Sequence, residues 1–288
     1  MLSCCKLFMD QLNLEEAREA FDRVYQLKPN AYIYQAGITM FYLDDIYAAG
    51  KCFAENAQYY EARFGGCGSE ERIWRDACEL MLNSRASRRN KSTNEQPLII
   101  PKIPELDEFS VVTQKETRKV MRVARDLFDA SVAGDHSRMI LSRAKLLSIA
   151  NDRGRPTRHP DPKQWKLNSW YFLGLHYDVL GRTDESRACM KNAVKLSSAG
   201  NLYDIIHTLP MLHMSRRDWY DDEDLDSNES LVLSEVEENI CDSVDQLIVS
   251  EIQDALGRKG LKTSGSKAQV QQRLFNALLK DAQIYLND

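Results

Sequence analysis

The sequence predicts an all-α protein: a superhelix of paired α-helices followed by a small helix–loop–helix module. Three observations predict it. Almost every apolar segment of the 288 residues recurs with helical spacing, and strand-like alternation is scarce. Short turn signals punctuate these segments at hairpin distances. Finally, a stretch from 218 to 257 with no Lys or Arg and 14 Asp/Glu gives way to a basic end.

The elements follow in order. In LNLEEAREAFDRVYQLKP, Leu14, Ala17, Phe21, Val24 and Tyr25 share one helical face, and Pro29 lies just beyond the last turn. YIYQAGITMFYLDDIYAAGKCFAENAQYYEARF divides into two helices, with Leu43, Asp44 and Asp45 at the turn. GGCGSEE then breaks the chain, and ERIWRDACELML opens another helix. Residues 84–107 hold three prolines and a basic cluster of Arg85, Arg88, Arg89 and Lys91. They are predicted to be a solvated linker, the cluster being alternatively a nucleic-acid or import patch. A hairpin over 115–150 turns at Ala133, Gly134 and Asp135. A second, over 165–197, turns at Gly181 and Arg182. Residues 201–219 read as a helical piece interrupted by Pro210, and DDEDLDSNES reads as a flexible acidic tether.

The spacing inside the hairpins resembles the tetratricopeptide repeat. Leu173, Gly174, Tyr177, Gly181, Met190 and Ala193 carry the best copy, with Ser186 where that family usually has alanine. Gly37, Ala49 and Phe53 carry a second copy, and Ala17, Phe21 and Pro29 the latter half of a first, whose opening helix would precede Met1. Phe21 and Phe53 lie about 32 residues apart, close to the family's ~34. The resemblance spans about half of the chain in scattered copies and implies an α-solenoid with a groove for a protein partner. Phe53 and Tyr177 are expected in its core. His176 is expected on the surface or in the groove.

The stretch LIVSEIQDALGRKGLKTSGSKAQVQQRLFNAL resembles the SAP motif, a helix–extended loop–helix of chromatin and nucleic-acid proteins. Ser250 caps the first helix, and Ile252, Ala255 and Leu256 form its buried face. Gly260 ends it in the left-handed conformation and Leu261 turns into the core. Val270, Arg273, Leu274 and Leu278 lie on the second helix. Hydroxyls and backbone N–H groups at 263–266 meet the N-terminus of that helix, where the dipole favours an anion. The nucleic-acid-binding candidates are Arg258, Lys259, Lys262, Thr263, Ser264, Gly265, Ser266, Lys267 and Arg273. Ser266 stands where a basic residue or threonine is common in the motif. Residues 247–288 carry about +2, whereas the whole chain carries −5, so binding must come from this local patch.

No other chemistry is signalled. The seven cysteines form no CxxC pair and read as reduced thiols of an intracellular protein. The five histidines show no paired-ligand spacing, and His207 and His213 flank Pro210. Residues 221–224 lack the spacing of a calcium loop. No phosphate-binding glycine loop, nucleophile elbow or membrane span occurs. No enzyme, cofactor or metal site is therefore expected.

The organisation expected is helical hairpins over 1–83, a linker over 84–114, hairpins over 115–217, a tether over 218–243 and the SAP-like module over 244–280. This predicts an adaptor that brings a protein partner to DNA or RNA. The alternative is a protein–protein scaffold whose C-terminal helix pair is a docking element. The motif pairing implies the nucleus or, if a leader precedes this sequence, a plastid or mitochondrial nucleoid.

Overall fold

The computed structural model describes residues 13–92, 101–106, 116–151, 162–197, 205–219, 253, 256–257, 260–266, 269–270 and 273. Among these residues the chain is all-helical, with no strand. Among the described residues nine α-helices build the body: α1 (Leu14–Leu27), α2 (Tyr34–Tyr42), α3 (Ile46–Phe64), α4 (Ser69–Ser92), α5 (Lys119–Val132), α6 (His136–Ala150), α7 (Pro162–Val179), α8 (Thr183–Leu196) and α9 (Leu209–Arg216). Each packs on the next in sequence, and α7 also packs on α4 and α5.

The three hairpin turns share one backbone solution. Asp44, Gly134 and Gly181 adopt φ of 68°, 69° and 77°. The next residue then donates its N–H to the carbonyl five positions back, Asp45 to Met40 at 3.0 Å, Asp135 to Ala130 at 2.8 Å and Arg182 to Tyr177 at 2.9 Å. This bond satisfies carbonyls that a helix end leaves open. Asp44 occupies the left-handed region without being glycine, at a cost of about 1 kcal/mol. Its carboxylate accepts both terminal nitrogens of Arg85.

The expected hairpin contacts are present. A Cβ on Gly37 would sit 2.8 Å from the Phe53 ring, and one on Gly174 would sit 2.9 Å from the Met190 methyl, so each glycine lets two helices close. Ser186 is fully buried, and its hydroxyl donates to the Gly174 carbonyl at 2.7 Å. The polar atom in place of alanine thus ties α8 to α7. Phe53 and Tyr177 are core residues.

Other expectations are corrected. The basic cluster is not in a linker, because α4 continues to Ser92. Within residues 101–106, Ile103 is buried against Gly50 and Cys78, so this segment plugs the core. Pro210 opens α9 rather than interrupting a helix, because the first turn needs no N–H from it. His176 is fully buried, with Nε2 2.7 Å from the Ser131 hydroxyl, because α5 covers that face of α7. Tyr42 of α2 places its hydroxyl 3.1 Å from both the Tyr171 hydroxyl of α7 and Nδ1 of His213 of α9. The first described hairpin therefore meets the last helix, a long-range contact that repeats touching only their neighbours would not make. Of the described cysteines, Cys52, Cys67, Cys78 and Cys189 are free thiols. Burial raises the pKa of Cys52, Cys78 and Cys189.

His213 gives the body a measurable acid response. Burial and, secondarily, Arg217 push its pKa down to about 4, against the pull of Asp178. In the unfolded chain a histidine titrates near ~6.5. The folded state thus refuses a proton that the unfolded state accepts, so stability is lost as pH falls from about 6.5 to about 4. Asp76, raised to about 6 mainly by burial, acts in the opposite sense over about 6 to 4. Comparison with His213→Gln isolates the histidine. The stability advantage of the wild type over this variant should shrink by about 3 kcal/mol between pH 7 and pH 4 in urea titrations. A difference independent of pH would contradict the assignment.

Candidate nucleic-acid interface

The C-terminal module is built from two helix ends and the loop between them. Gln253, Leu256 and Gly257 are helical, and Leu256 is fully buried. Gly260, at φ 67°, ends this helix by the same device as the hairpin turns. Its N–H donates to the Gly257 carbonyl at 3.0 Å and that of Leu261 to the Leu256 carbonyl at 2.9 Å. Leu261 is 38% exposed rather than turned into the core, since it lies in the irregular loop that follows the helix end. Residues 261–264 run without regular structure to Gly265.

Ser266 starts the second helix, its carbonyl accepting the N–H of Val270 at 3.0 Å. The Ser266 N–H donates to Oε1 of Gln269 at 2.9 Å, and the Gln269 N–H donates to the Ser266 hydroxyl at 3.4 Å. This is a reciprocal capping box, readable in the sequence as Ser-x-x-Gln. Gln269 thereby joins the candidate residues as the partner of Ser266. The cap explains Ser266 in a position often basic: its hydroxyl and its N–H both serve the helix start.

Arg273, one turn further on, reaches back. One terminal nitrogen donates to the Lys262 carbonyl and the other to the Ser264 carbonyl at 3.1 Å. The guanidinium therefore ties the loop to the second helix. Gly265 makes this possible. Its φ of 141° disfavours a side chain, and a Cβ there would lie 2.8 Å from Gln269 Oε1 and 3.1 Å from Arg273 Nη2.

Lys262, Thr263, Ser264, Gly265 and Ser266 are all exposed, and Arg273 is half-buried behind them. Among the described residues no carboxylate pairs with Lys262 or Arg273. Six of the nine candidate residues thus form one short surface, the loop and its clamp. Arg258, Lys259 and Lys267 lie outside the described residues, as do Ser250, Ile252, Ala255 and residues 220–243 of the tether, whose first two, Asp218 and Trp219, are described, Trp219 being buried beside His213.

The family model of the SAP domain matches residues 243–278. No curated protein and no solved structure matches the chain. The match covers the module and does not extend into the helical body. Among the described residues, no helix is long and apolar enough to cross a membrane and no cluster of His, Cys, Asp and Glu could hold a metal ion.

Proposed function

We propose that the chain is a non-enzymatic adaptor whose SAP module binds the phosphate backbone of DNA, or of RNA. The observation that carries this reading is the exposed loop from Lys262 to Ser266, held by Arg273 against the start of a helix. Lys262 supplies charge on that loop, at a helix start where the dipole already favours an anion, and Lys267 follows Ser266 in the sequence as a second cation. Arg258 and Lys259, close by in the sequence, add two further cations. Arg273 keeps three of its five donors for a phosphate after clamping the loop. Thr263 and Ser264 add hydroxyl donors. Contacts of this kind position a duplex and read little sequence.

The helical body, with its tetratricopeptide-like hairpins, serves in this reading as the scaffold for a protein partner. No cofactor, metal or membrane enters the mechanism. Nucleic-acid binding places the protein in the nucleus or in an organelle nucleoid.

The test is a salt titration of duplex binding by fluorescence anisotropy. Neutralising about 3 phosphates gives a log–log slope near ~−3. A slope near zero, or no binding at low salt, would favour the C-terminal pair as a protein-docking element instead.

A further inference from the structure

The basic cluster of α4 plays no part in the C-terminal interface, and the fold gives it neighbours of its own sign. Arg85, Arg216 and Arg217 line one open recess of about 600 Å³, where the ends of α2 and α9 meet the last part of α4. Arg88 follows Arg85 by one turn and lies over the α7–α8 turn. A Cβ on Gly181 would sit 3.0 Å from its Nη1, so the glycine makes room for it. Arg182 comes next in that turn. All five cations are arginines, whose planar fork matches the oxygens of a phosphate.

Their partners divide them into two sets. Arg85 rests on Asp44, Arg182 on Glu185, and Arg217 on Asp178 at 2.7 Å, so these charges are balanced. Arg88 and Arg216 are exposed. Among the described residues no carboxylate pairs with either, and no cation pairs with Asp218, which also lines the recess. Both arginines are held by Nε instead. That of Arg216 donates to the Tyr42 carbonyl at 3.2 Å, and that of Arg88 to the Ser84 carbonyl at 3.4 Å. Arg88 Nη2 also donates to the Ser84 hydroxyl at 3.2 Å. Arg216 thus keeps both terminal nitrogens for a ligand, and Arg88 keeps Nη1. A guanidinium already anchored loses little freedom on taking an anion.

The anion most concentrated here is the one the chain itself brings. A nucleic acid held by the SAP module stands near the body at a raised effective concentration. Residues 220–252 between the two reach at most about 120 Å, so both surfaces can share one duplex. We propose that this arginine edge, through Arg88 and Arg216, is a second phosphate-backbone contact on the duplex that the module holds. The proposal rests on nucleic-acid binding by the module and adds a site on the body.

Anisotropy titrations of the full chain on two duplexes test it, one of ~10 bp, too short for both surfaces, and one of ~40 bp, about 140 Å long. The short duplex should give the slope near ~−3 of the module, and the long one a slope steeper by about 2. Arg88→Gln with Arg216→Gln should remove that extra slope and about tenfold of affinity on the long duplex, and change nothing on the short one. Asp218→Asn should act in the opposite sense and tighten the long duplex only, because asparagine tolerates the φ of 53° and removes a negative charge from the recess. It carries the test alone if the double variant loses its helical circular dichroism. Arginines that only complement helix ends would produce none of these differences. Equal slopes on the two duplexes, or variants indistinguishable from the wild type on the long one, would overturn the site. In a chain with Lys262, Lys267 and Arg273 changed to alanine, residual binding to the long duplex should resist polyglutamate. Displacement by polyglutamate as effective as by unlabelled duplex would overturn nucleic acid as the occupant in favour of an acidic peptide. The short duplex reports the module and the difference between duplexes reports the edge, so the two readings fail separately.

Discussion

Alanine at Lys262, Lys267 and Arg273 together lowers duplex DNA affinity by about 100-fold at low salt, read as lost retardation in a gel. About 1 kcal/mol for each phosphate contact removed, the net worth of an ordinary hydrogen bond, gives this loss. The three residues act differently. Lys262 and Lys267 contribute charge. Arg273 also orders the loop through the Lys262 and Ser264 carbonyls, a fork that lysine does not reproduce. Arg273→Lys should therefore lose part of the affinity with its charge intact. Gly265→Ala should weaken binding without altering any charge, because its φ of 141° and the 2.8 Å approach of Gln269 leave no room for a methyl group. Unchanged retardation by the triple variant would sink the interface and leave the helix pair as a protein-docking element.

Gly37→Ala destabilises the body by about 1–3 kcal/mol, whereas Gly174→Ala changes stability by less than about 1 kcal/mol. The two glycines look alike in the sequence, each at the close contact of a hairpin. Both substitutions gain about 1 kcal/mol of helix propensity. Their neighbours decide the difference. The new methyl on Gly37 would meet the Phe53 ring, which stacks on Trp74 at 5.5 Å and 14° and has no direction in which to give way. Overpacking against a fixed ring costs about 1–3 kcal/mol beyond the gain. On Gly174 the nearest atom is the terminal methyl of Met190, which can swing aside, although Cys189 Cβ lies at 3.1 Å. Urea denaturation of the two variants beside the wild type reads the order directly. A Gly174 variant as damaged as the Gly37 variant would mean that helix separation, not side-chain mobility, sets the cost.

The parts legible in the sequence were local. Apolar spacing located the helices, and Gly134, Gly181 and Gly260 announced their ends because a left-handed residue closes an open helix terminus. The C-terminal motif was legible for the same reason: its glycines, capping serine and flanking apolar residues act within a few positions of one another. Where two neighbouring signals competed, the sequence misled. Three prolines and small polar residues over 84–107 suggest a linker from residue 84, yet α4 runs on through Arg85 and Arg88 to Ser92, Arg85 resting on Asp44. The Ser-x-x-Gln pattern of Ser266 and Gln269 is a local signal too, since both partners lie within one helical turn.

By itself, then, the sequence determined an all-helical chain, its turns and a SAP module at its end. Only the tertiary structure decided what each polar group faces. His176 and His213 are sealed by helices remote in sequence, Tyr42 joins α2 to α7 and α9, and the amide oxygen of Asn168 is buried without a hydrogen-bond partner among the described residues. The physical reason is range. Helix propensity and capping depend on residues within one or two turns. Burial and the pairing of side chains depend on which distant surfaces meet, and no local pattern encodes that.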